Sequence, residues 1–440
     1  MNAHASGTGK GALQGIPKEQ LIGISGLVAA AHSTHMIVVP VLPAFVDGLG
    51  AAFWVVGMAL TVSYLARFFT NIPAGIMADK FGRKRIIAIG GLGVAIAGSL
   101  TGTADSVPVF LILRFLTGMF TAVTITVGNV VFTDLSSVEN RGRVLGLVHG
   151  MQLVVGLGAP AFGGFLAEFT NVRMPFYASG VVVGLFALWA LARMPETRPE
   201  SVAEHVRTGG GIRTDAPALL RHRGFVLVGL LGAATFFTRS GGSHALIPLY
   251  ADSLFGASSG TLGVLFSISS LIHGVMVYPS GHIADRYGRK VLIGPAGILV
   301  GLALFAFPLA HDLWQVGAMF IFLHIAVAAG GQAPVAYLGD VAPHNMRGAS
   351  FGLYRTFGDL AATASPVLLT FIAQEISFPA AFATNAVVWL VPLVVFSLFA
   401  KETAGRRFLR EQARAEAAAR EEAERAAARA PTTAPAAPED

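Results

Sequence analysis

The chain has 440 residues, of which 54% are hydrophobic and 13% charged, with a net charge of +6 and a mean hydropathy of +0.64. A water-soluble protein of this length could not hide that much apolar surface, whereas lipid accepts it, so a soluble globular domain is excluded. Cysteine is absent, which removes disulfide and thiolate chemistry from consideration.

The tail formed by residues 1–20 lacks a signal-peptide pattern, so the first apolar run is predicted to remain as a span. Runs of about 20 apolar residues are long enough to cross a hydrocarbon core. Six such runs precede the middle of the chain, at Leu21–Phe45, Phe53–Ala78, Ile86–Ala104, Val107–Thr133, Val144–Ala167 and Pro175–Leu191. Six more follow it, at Val226–Tyr250, Thr261–Ile283, Val291–Leu309, Trp314–Leu338, Ala349–Ala373 and Pro379–Ala400. The predicted class is therefore an all-α membrane protein with twelve transmembrane helices. They divide into a first bundle over residues 21–193 and a second over 225–400. The intervening stretch 194–224, rich in Glu, Arg, Gly and Pro, reads as a linker. Beyond it, residues 401–440 form a tail, in which Glu402–Arg429 is dominated by Ala, Glu and Arg. There Glu402 and Arg406, Glu416 and Arg420, and Glu421 and Arg425 stand in helical i,i+4 order, and the final Pro/Ala-rich residues are expected to be disordered.

The two bundles carry one repeated text. Gly75-Ile-Met-Ala-Asp79-Lys-Phe-Gly82-Arg83-Lys84 recurs as Gly281-His-Ile-Ala-Asp285-Arg-Tyr-Gly288-Arg289-Lys290, an offset of 206 residues (281 − 75). The same offset relates Asp134 to Asp340, Arg141-Gly142 to Arg347-Gly348, and Pro160 to Pro366. A register held over so many positions marks a duplicated half, and parallel repeats of membrane helices place a substrate site at their interface. Charge sets the sidedness: 26 of the 31 lysines and arginines lie in the tails and loops on the side of the two repeated motifs. Arg173 is the only Lys or Arg in the loops of the other side, so both termini and the motifs are predicted to face the cytoplasm.

These motifs resemble those of the major facilitator superfamily. Gly-x-x-x-Asp-x-x-Gly-Arg-Lys between the second and third spans, repeated between the eighth and ninth, is its most specific signature, and Arg114-x-x-x-Gly118 and Asp134…Arg141-Gly142 look like its further elements. The resemblance covers Leu21 to Ala400 and implies two pseudo-symmetric six-helix bundles. Gly158-Ala159-Pro160-Ala161-Phe162-Gly163-Gly164 in the fifth span is similar to the hinge element of twelve-span drug–proton antiporters, with alanine where a glycine would precede the proline. The resemblance implies that Asp79 meets the end of span eleven and Asp285 that of span five. Together with Gly75, Gly82, Arg83, Lys84, Asp134, Arg141, Gly142, Gly281, Gly288, Arg289, Lys290, Asp340, Arg347 and Gly348, they would form a cytoplasmic gate.

Ionisable residues inside spans are costly and face a cavity or a partner. Here they are His32 and His35 in span one, Arg67 in span two, Arg114 in span four and His149 in span five. Arg239, His273 and His324 follow in spans seven, eight and ten, and Arg355 and Asp359 in span eleven. Spans three, six, nine and twelve carry none in their apolar cores, and the resemblance implies that these four lie outermost. Four deep arginines against one acid favour an anionic or polyhydroxylated solute over a lipophilic cation. Asp359 is placed to carry a proton, with Arg114 and His324 as further candidates for proton coupling, or to form an ion pair with Arg355. His32 and His35 alone do not make a metal site, and no cofactor is expected.

Neither a catalytic constellation nor a phosphate-binding Gly loop followed by Lys-Ser/Thr occurs, so neither an enzyme nor an ATP-driven pump is predicted. The expected function is a secondary active transporter for a small organic solute, coupled to protons and exporting. An importer or facilitator of a small organic anion or sugar-like solute, and a non-transporting sensor on the same fold, are the alternatives. The expected partners are the lipid bilayer, the small-molecule substrate and protons, with no nucleic acid, and the chain is expected to act as a monomer in a plasma or bacterial inner membrane. A reporter fused to the C-terminus should be active only on the cytoplasmic side; activity confined to the external side would overturn the orientation.

Overall fold

The computed structural model describes residues 18–136, 141–197, 217, 219–330, 333–343 and 347–405. The N-terminal tail to residue 17, most of the linker and the predicted tail helix from Arg406 lie outside them. So do the side chains of Arg141, His149 and Arg347 and the surroundings of Gly142 and Gly348. Among the described residues every regular element is helical, and twelve helices are long and apolar enough to cross a membrane.

Span one, Lys18–Val38, continues through a 3₁₀ turn at Val39–Val41 into Leu42–Gly48. Pro40 and Pro43 supply no N–H there, and the ladder tightens where its donors are missing. Spans two to six are Trp54–Phe81, Arg83–Thr101, Val107–Leu135, Arg141–Phe169 and Met174–Arg193. Span seven is Arg223–Phe237 and Ile247–Phe255, joined by a π-helix over Thr238–Leu246. Spans eight and nine are Ser259–Tyr287 and Arg289–Ala306, and span ten is formed by Leu313–Gly330 and Ala333–Val341. Spans eleven and twelve are Arg347–Glu375 and Phe378–Phe399. The helices run further into the basic motifs than hydropathy indicates, leaving a single residue as each loop. Gly82 has φ +95° and Gly288 φ +123°, a region a Cβ disfavours, so glycine is required to turn one span directly into the next.

Spans three, six, nine and twelve pack mainly within their own halves, spans three against six and nine against twelve most extensively. Their outward apolar side chains, such as Ile96, Leu185, Leu302 and Phe399, are more than half exposed and suited to lipid. The halves meet chiefly through two helix pairs, two with eleven and five with eight, with smaller contacts of span one and span two against span seven and of span one against span eight.

That meeting is one-sided. At the face opposite the motifs, one apolar core draws side chains from both halves, joining Phe45, Val56 and Phe110 to Leu246, Phe266 and Phe382. Toward the motif face the core splits into two, one built from the first half around Leu27, Val131 and Val183, the other from the second around Phe225, Tyr337 and Phe396. Polar bonds between the halves follow the same division. The Thr61 hydroxyl donates to the Thr363 carbonyl (2.7 Å), Ala161 N–H donates to Ser267 Oγ (3.1 Å), and Gly260 N–H donates to Glu168 Oε2 (3.1 Å). A Cβ on Gly57 would overlap the Pro366 backbone, one on Gly164 the Ser259 backbone and one on Gly263 that of Pro160. On the motif side, by contrast, Gly75, Gly146 and Gly281 have nothing within 4 Å of where a Cβ would stand, and Ile72, Ile76 and Tyr278 are exposed. The molecule is closed at the opposite face and open at the motif face.

Backbone cannot move aside as a flexible side chain can, so Gly164→Leu should destabilise the closed face by about 1–3 kcal/mol. Cysteine introduced at Thr61 should then be labelled faster by a membrane-impermeant thiol reagent than in the Gly164 parent. Equal labelling rates would show that this contact does not hold the face shut.

Candidate transport site and gates

Each repeated motif builds a charge cluster at the motif face. Arg83 is almost fully buried; its guanidinium pairs with Asp134 and lies 3.5 Å from Asp79. In the second half Arg289 pairs with Asp285 (2.6 Å) and with Asp340 (3.3 Å), and Thr403 Oγ1 donates to Asp340 (2.8 Å). An acid in the last turn of one span, paired across the glycine turn with the arginine that opens the next and joined by an acid from the end of a third, fixes that corner of each bundle. These bonds lie within each half. The expected reach of Asp79 to span eleven and of Asp285 to span five falls on the starts of those spans, where the side chains of Arg347 and Arg141 lie outside the described residues. Lys84 and Lys290 belong to the same corners, with Lys290 Nζ donating to the Ala400 carbonyl (2.9 Å).

Sequence reading missed the acid that completes each cluster. Glu196 accepts from the backbone N–H groups of Arg83 (2.8 Å) and Lys84 (3.3 Å), at the start of span three. Glu402 does the same for Arg289 (2.7 Å) and Lys290 (3.1 Å) at the start of span nine. A carboxylate there accepts from free N–H groups and meets the positive end of the helix dipole. The two acids are separated by 206 residues (402 − 196), the repeat offset, and each is followed by threonine. That register was the available signal. Residues 401–404 are not helical, which corrects the expectation that Glu402 pairs with Arg406 along a helix. The first bundle reaches one residue beyond its predicted end, with Met194 buried in its core, while Ala400 closes the second core at the predicted end.

In the fifth-span element, Gly163 lies against the backbone of span one at Ile37 and Gly164 against span eight. Pro160 is accommodated within the helix opposite Gly263, while Gly158 has open space around it.

Between the halves, the deep polar residues converge. The His35 ring nitrogen Nε2 and the Tyr64 hydroxyl are 3.1 Å apart, and Arg67 stacks over the Tyr64 ring at 5.7 Å. Arg114 is 3% exposed and its Nε has no hydrogen-bond partner among the described residues. These groups line a small recess of about 20 Å³, enough for a water molecule. From the second half Arg239 lies within electrostatic reach of Tyr64, Arg67 and Arg355, and His32 is reached by Arg67, Arg239 and Arg355. His273 and His324 lie near each other on the same side, and His324 Nδ1 is bonded to the Phe320 carbonyl (2.9 Å). Asp359 Oδ1 lies 3.2 Å from Arg355 Nε, so the carboxylate proposed as a proton carrier stands in an ion pair. Arg355 is 60% exposed and also stacks on Phe236. Arg67, Arg114 and Arg239 have no carboxylate within ion-pair distance among the described residues.

His244 is the second omission. It sits in the π-helix of span seven, whose widened turn is registered by the bond from Ile247 N–H to the Gly242 carbonyl, five residues back. In this ladder residues five apart share a face, which brings Arg239 and His244 to one side; α-helical spacing would separate them. Gly241 allows the widened turn to lie on the span-eleven backbone at Ser365. Ser240 Oγ donates to the Ala362 carbonyl (2.9 Å), and Thr238 Oγ1 donates to buried Asn385 (2.9 Å).

Two bundles related by a repeat, closed at one face and enclosing a polar centre, match a known architecture. The model of the Major Facilitator Superfamily matches residues 24–254 and 228–435. The chain belongs to this superfamily. It is similar to multidrug resistance protein 1 of Bacillus subtilis, at 23% identity over 352 residues that cover 79% of this chain and 88% of that protein. It also resembles the multidrug resistance protein MdtG of Citrobacter koseri, at 26% identity over 373 residues covering 82% and 89% of the two chains. Among solved structures, a bacterial homologue of the human lysosomal transporter Spinster, in an inward-facing and unoccupied conformation, superposes with a TM-score of 0.71 at 15% identity, covering 87% of this chain and 95% of that one. The protein is thus a multi-pass membrane transporter of the major facilitator fold, not an enzyme.

Replacing Glu196 or Glu402 by glutamine keeps an acceptor but removes the charge at the helix start. Each change should cost on the order of 1 kcal/mol, read as a lower thermal midpoint in detergent, with Glu196→Ala costing more. A midpoint that does not move in any of the three variants would remove these acids from the corner clusters.

Proposed function

We propose that the protein is a proton-coupled exporter that moves small organic solutes bearing an acidic group, by rocking its two halves about the central cavity. The observation that carries this reading is the set of three arginines inside the spans, Arg67, Arg114 and Arg239, none with a carboxylate within ion-pair distance among the described residues. Arg114 is buried, Arg67 half-buried and Arg239 exposed. A cation held within the membrane without a counter-charge is costly, and a solute carboxylate, phosphate or sulfonate would supply the missing partner. The excess of Lys and Arg at the motif face supports its facing the cytoplasm. The cavity as observed would then load from inside the cell. Export is supported by the names of the multidrug resistance relatives. Paired charge clusters in both halves favour a carrier that alternates over a static sensor. The same cavity would serve an importer of organic anions, and the sign of transport separates the two.

Inside-out vesicles or proteoliposomes with an imposed pH gradient should accumulate an anionic fluorescent probe only when the gradient has the sign for proton exchange. Arg114→Ala and Arg239→Ala should each lower that accumulation about tenfold or more, as loss of a charge-assisted hydrogen bond costs roughly 1.5–3 kcal/mol. A screen in which lipophilic cations alone were transported, and equally by both variants, would sink the electropositive-cavity reading.

A further inference from the structure

Where the halves close toward the opposite face, above the recess that His35 lines, two imidazoles meet. His35 of span one and His244 of span seven contact each other with ring centroids 5.6 Å apart. This is a contact between titratable side chains of different halves. Behind His35 stands the Tyr64 hydroxyl at 3.1 Å; behind His244, the edge of Phe266, which packs on Phe320 and through it on His324. His244 is 7% exposed, and its Nδ1 has no hydrogen-bond partner among the described residues. A histidine kept for packing alone would be expected to satisfy both ring nitrogens.

We propose that His35 and His244 form the proton-binding site of the carrier, one ring from each half, releasing the proton when the opposite face closes and taking it up when that face opens. This rests on the proton-coupled reading above and gives it a location other than Asp359. The physical reason is the charge around the two rings. Those that reach His35 are Arg67 of span two, Arg114 of span four and the imidazoles of His32 and His244; those that reach His244 are Arg239, His32 and His324. None is an acid, and the deep carboxylate, Asp359, is held by Arg355. With the opposite face closed, a proton on either ring would therefore make a buried cation among cations, so the neutral pair is favoured. Opening the opposite face must part spans one and seven at this level, since the shared apolar core lies directly above. Each ring would then meet water and could accept a proton at a free ring nitrogen. The proton would be lost again, toward the motif face, when the halves re-close. Binding energy thus differs between the two conformations, which is what coupling requires.

The absence of native cysteine permits a direct test on the full-length protein. Spin labels at Ala52→Cys and Ile376→Cys, exposed positions at the closed face on opposite halves, report the separation there. Acidification from pH 8 to pH 5 in lipid nanodiscs, without any solute, should raise the long-distance population by up to about tenfold per pH unit across the titration. The double variant His35→Gln/His244→Gln should lose this response, whereas His311→Gln, in a loop at the same face, should keep it. The proposal is overturned if the parent shows no pH response or if the double variant retains it. Should the double variant not fold, each single variant is measured alone, and a full parental response in both overturns it equally. Gradient-driven transport that persists in the folded double variant would also overturn this site while leaving proton coupling intact. Transport indifferent to the gradient, with the conformational response present, would instead remove the coupling reading and uphold the pair as a proton site.

Discussion

Close backbone contact between the halves, confined to one end of the molecule, is the constraint on which the rest of the structure depends. Spans two and eleven, and five and eight, approach closely because Gly57, Gly164 and Gly263 present no side chain to the facing backbone. In lipid there is no hydrophobic drive to hold helices together, so packing of small residues and hydrogen bonds such as Thr61 to Thr363 must do it. Because these contacts stop short of the motif face, the apolar core is single at one end and double at the other. A cavity open to one side follows directly from that geometry.

The charged corners can be understood as what keeps each half rigid while the halves separate. Arg83 with Asp134 and Asp79, and Arg289 with Asp285 and Asp340, are ties inside a bundle, as are the Glu196 and Glu402 contacts to helix starts. The proposed rocking would need two bodies that do not deform, and a short loop of one glycine backed by an ion cluster gives each body a stiff corner. The ties seen here need not break for the halves to meet.

Charge inside the membrane divides in the same functional way. The one deep acid among the described residues is spent on Arg355, leaving Arg67, Arg114 and Arg239 to the cavity. The π-helical turn in span seven restacks the side chains on the helix face and sets His244 against His35, at the cost of a less regular ladder. Gly241 and Gly242, with the hydroxyls of Thr238 and Ser240 bonded to neighbouring helices, make the irregular turn tolerable in lipid because its groups are held by protein.

Hydropathy, the 206-residue repeat and the placement of lysine and arginine already determined twelve helices, the repeated motif corners and which spans carry ionisable residues. These are properties of local chain segments and of their register, so they need no knowledge of what packs where. The pairing of Glu196 with Arg83 was hidden because it joins residues 113 positions apart across a span end, although its echo at Glu402 lay in the repeat. Arg355 and Asp359 lie four residues apart, so their spacing allowed an ion pair, but whether the acid would spend itself there or carry a proton depended on the groups around it. The meeting of His35 with His244 depended on a π-helical turn that no α-helical periodicity could express, and on two helices from different halves arriving at one level. Which face is closed was likewise decided only by tertiary packing, because the two halves carry the same motifs and a sequence does not distinguish the states between which a transporter moves.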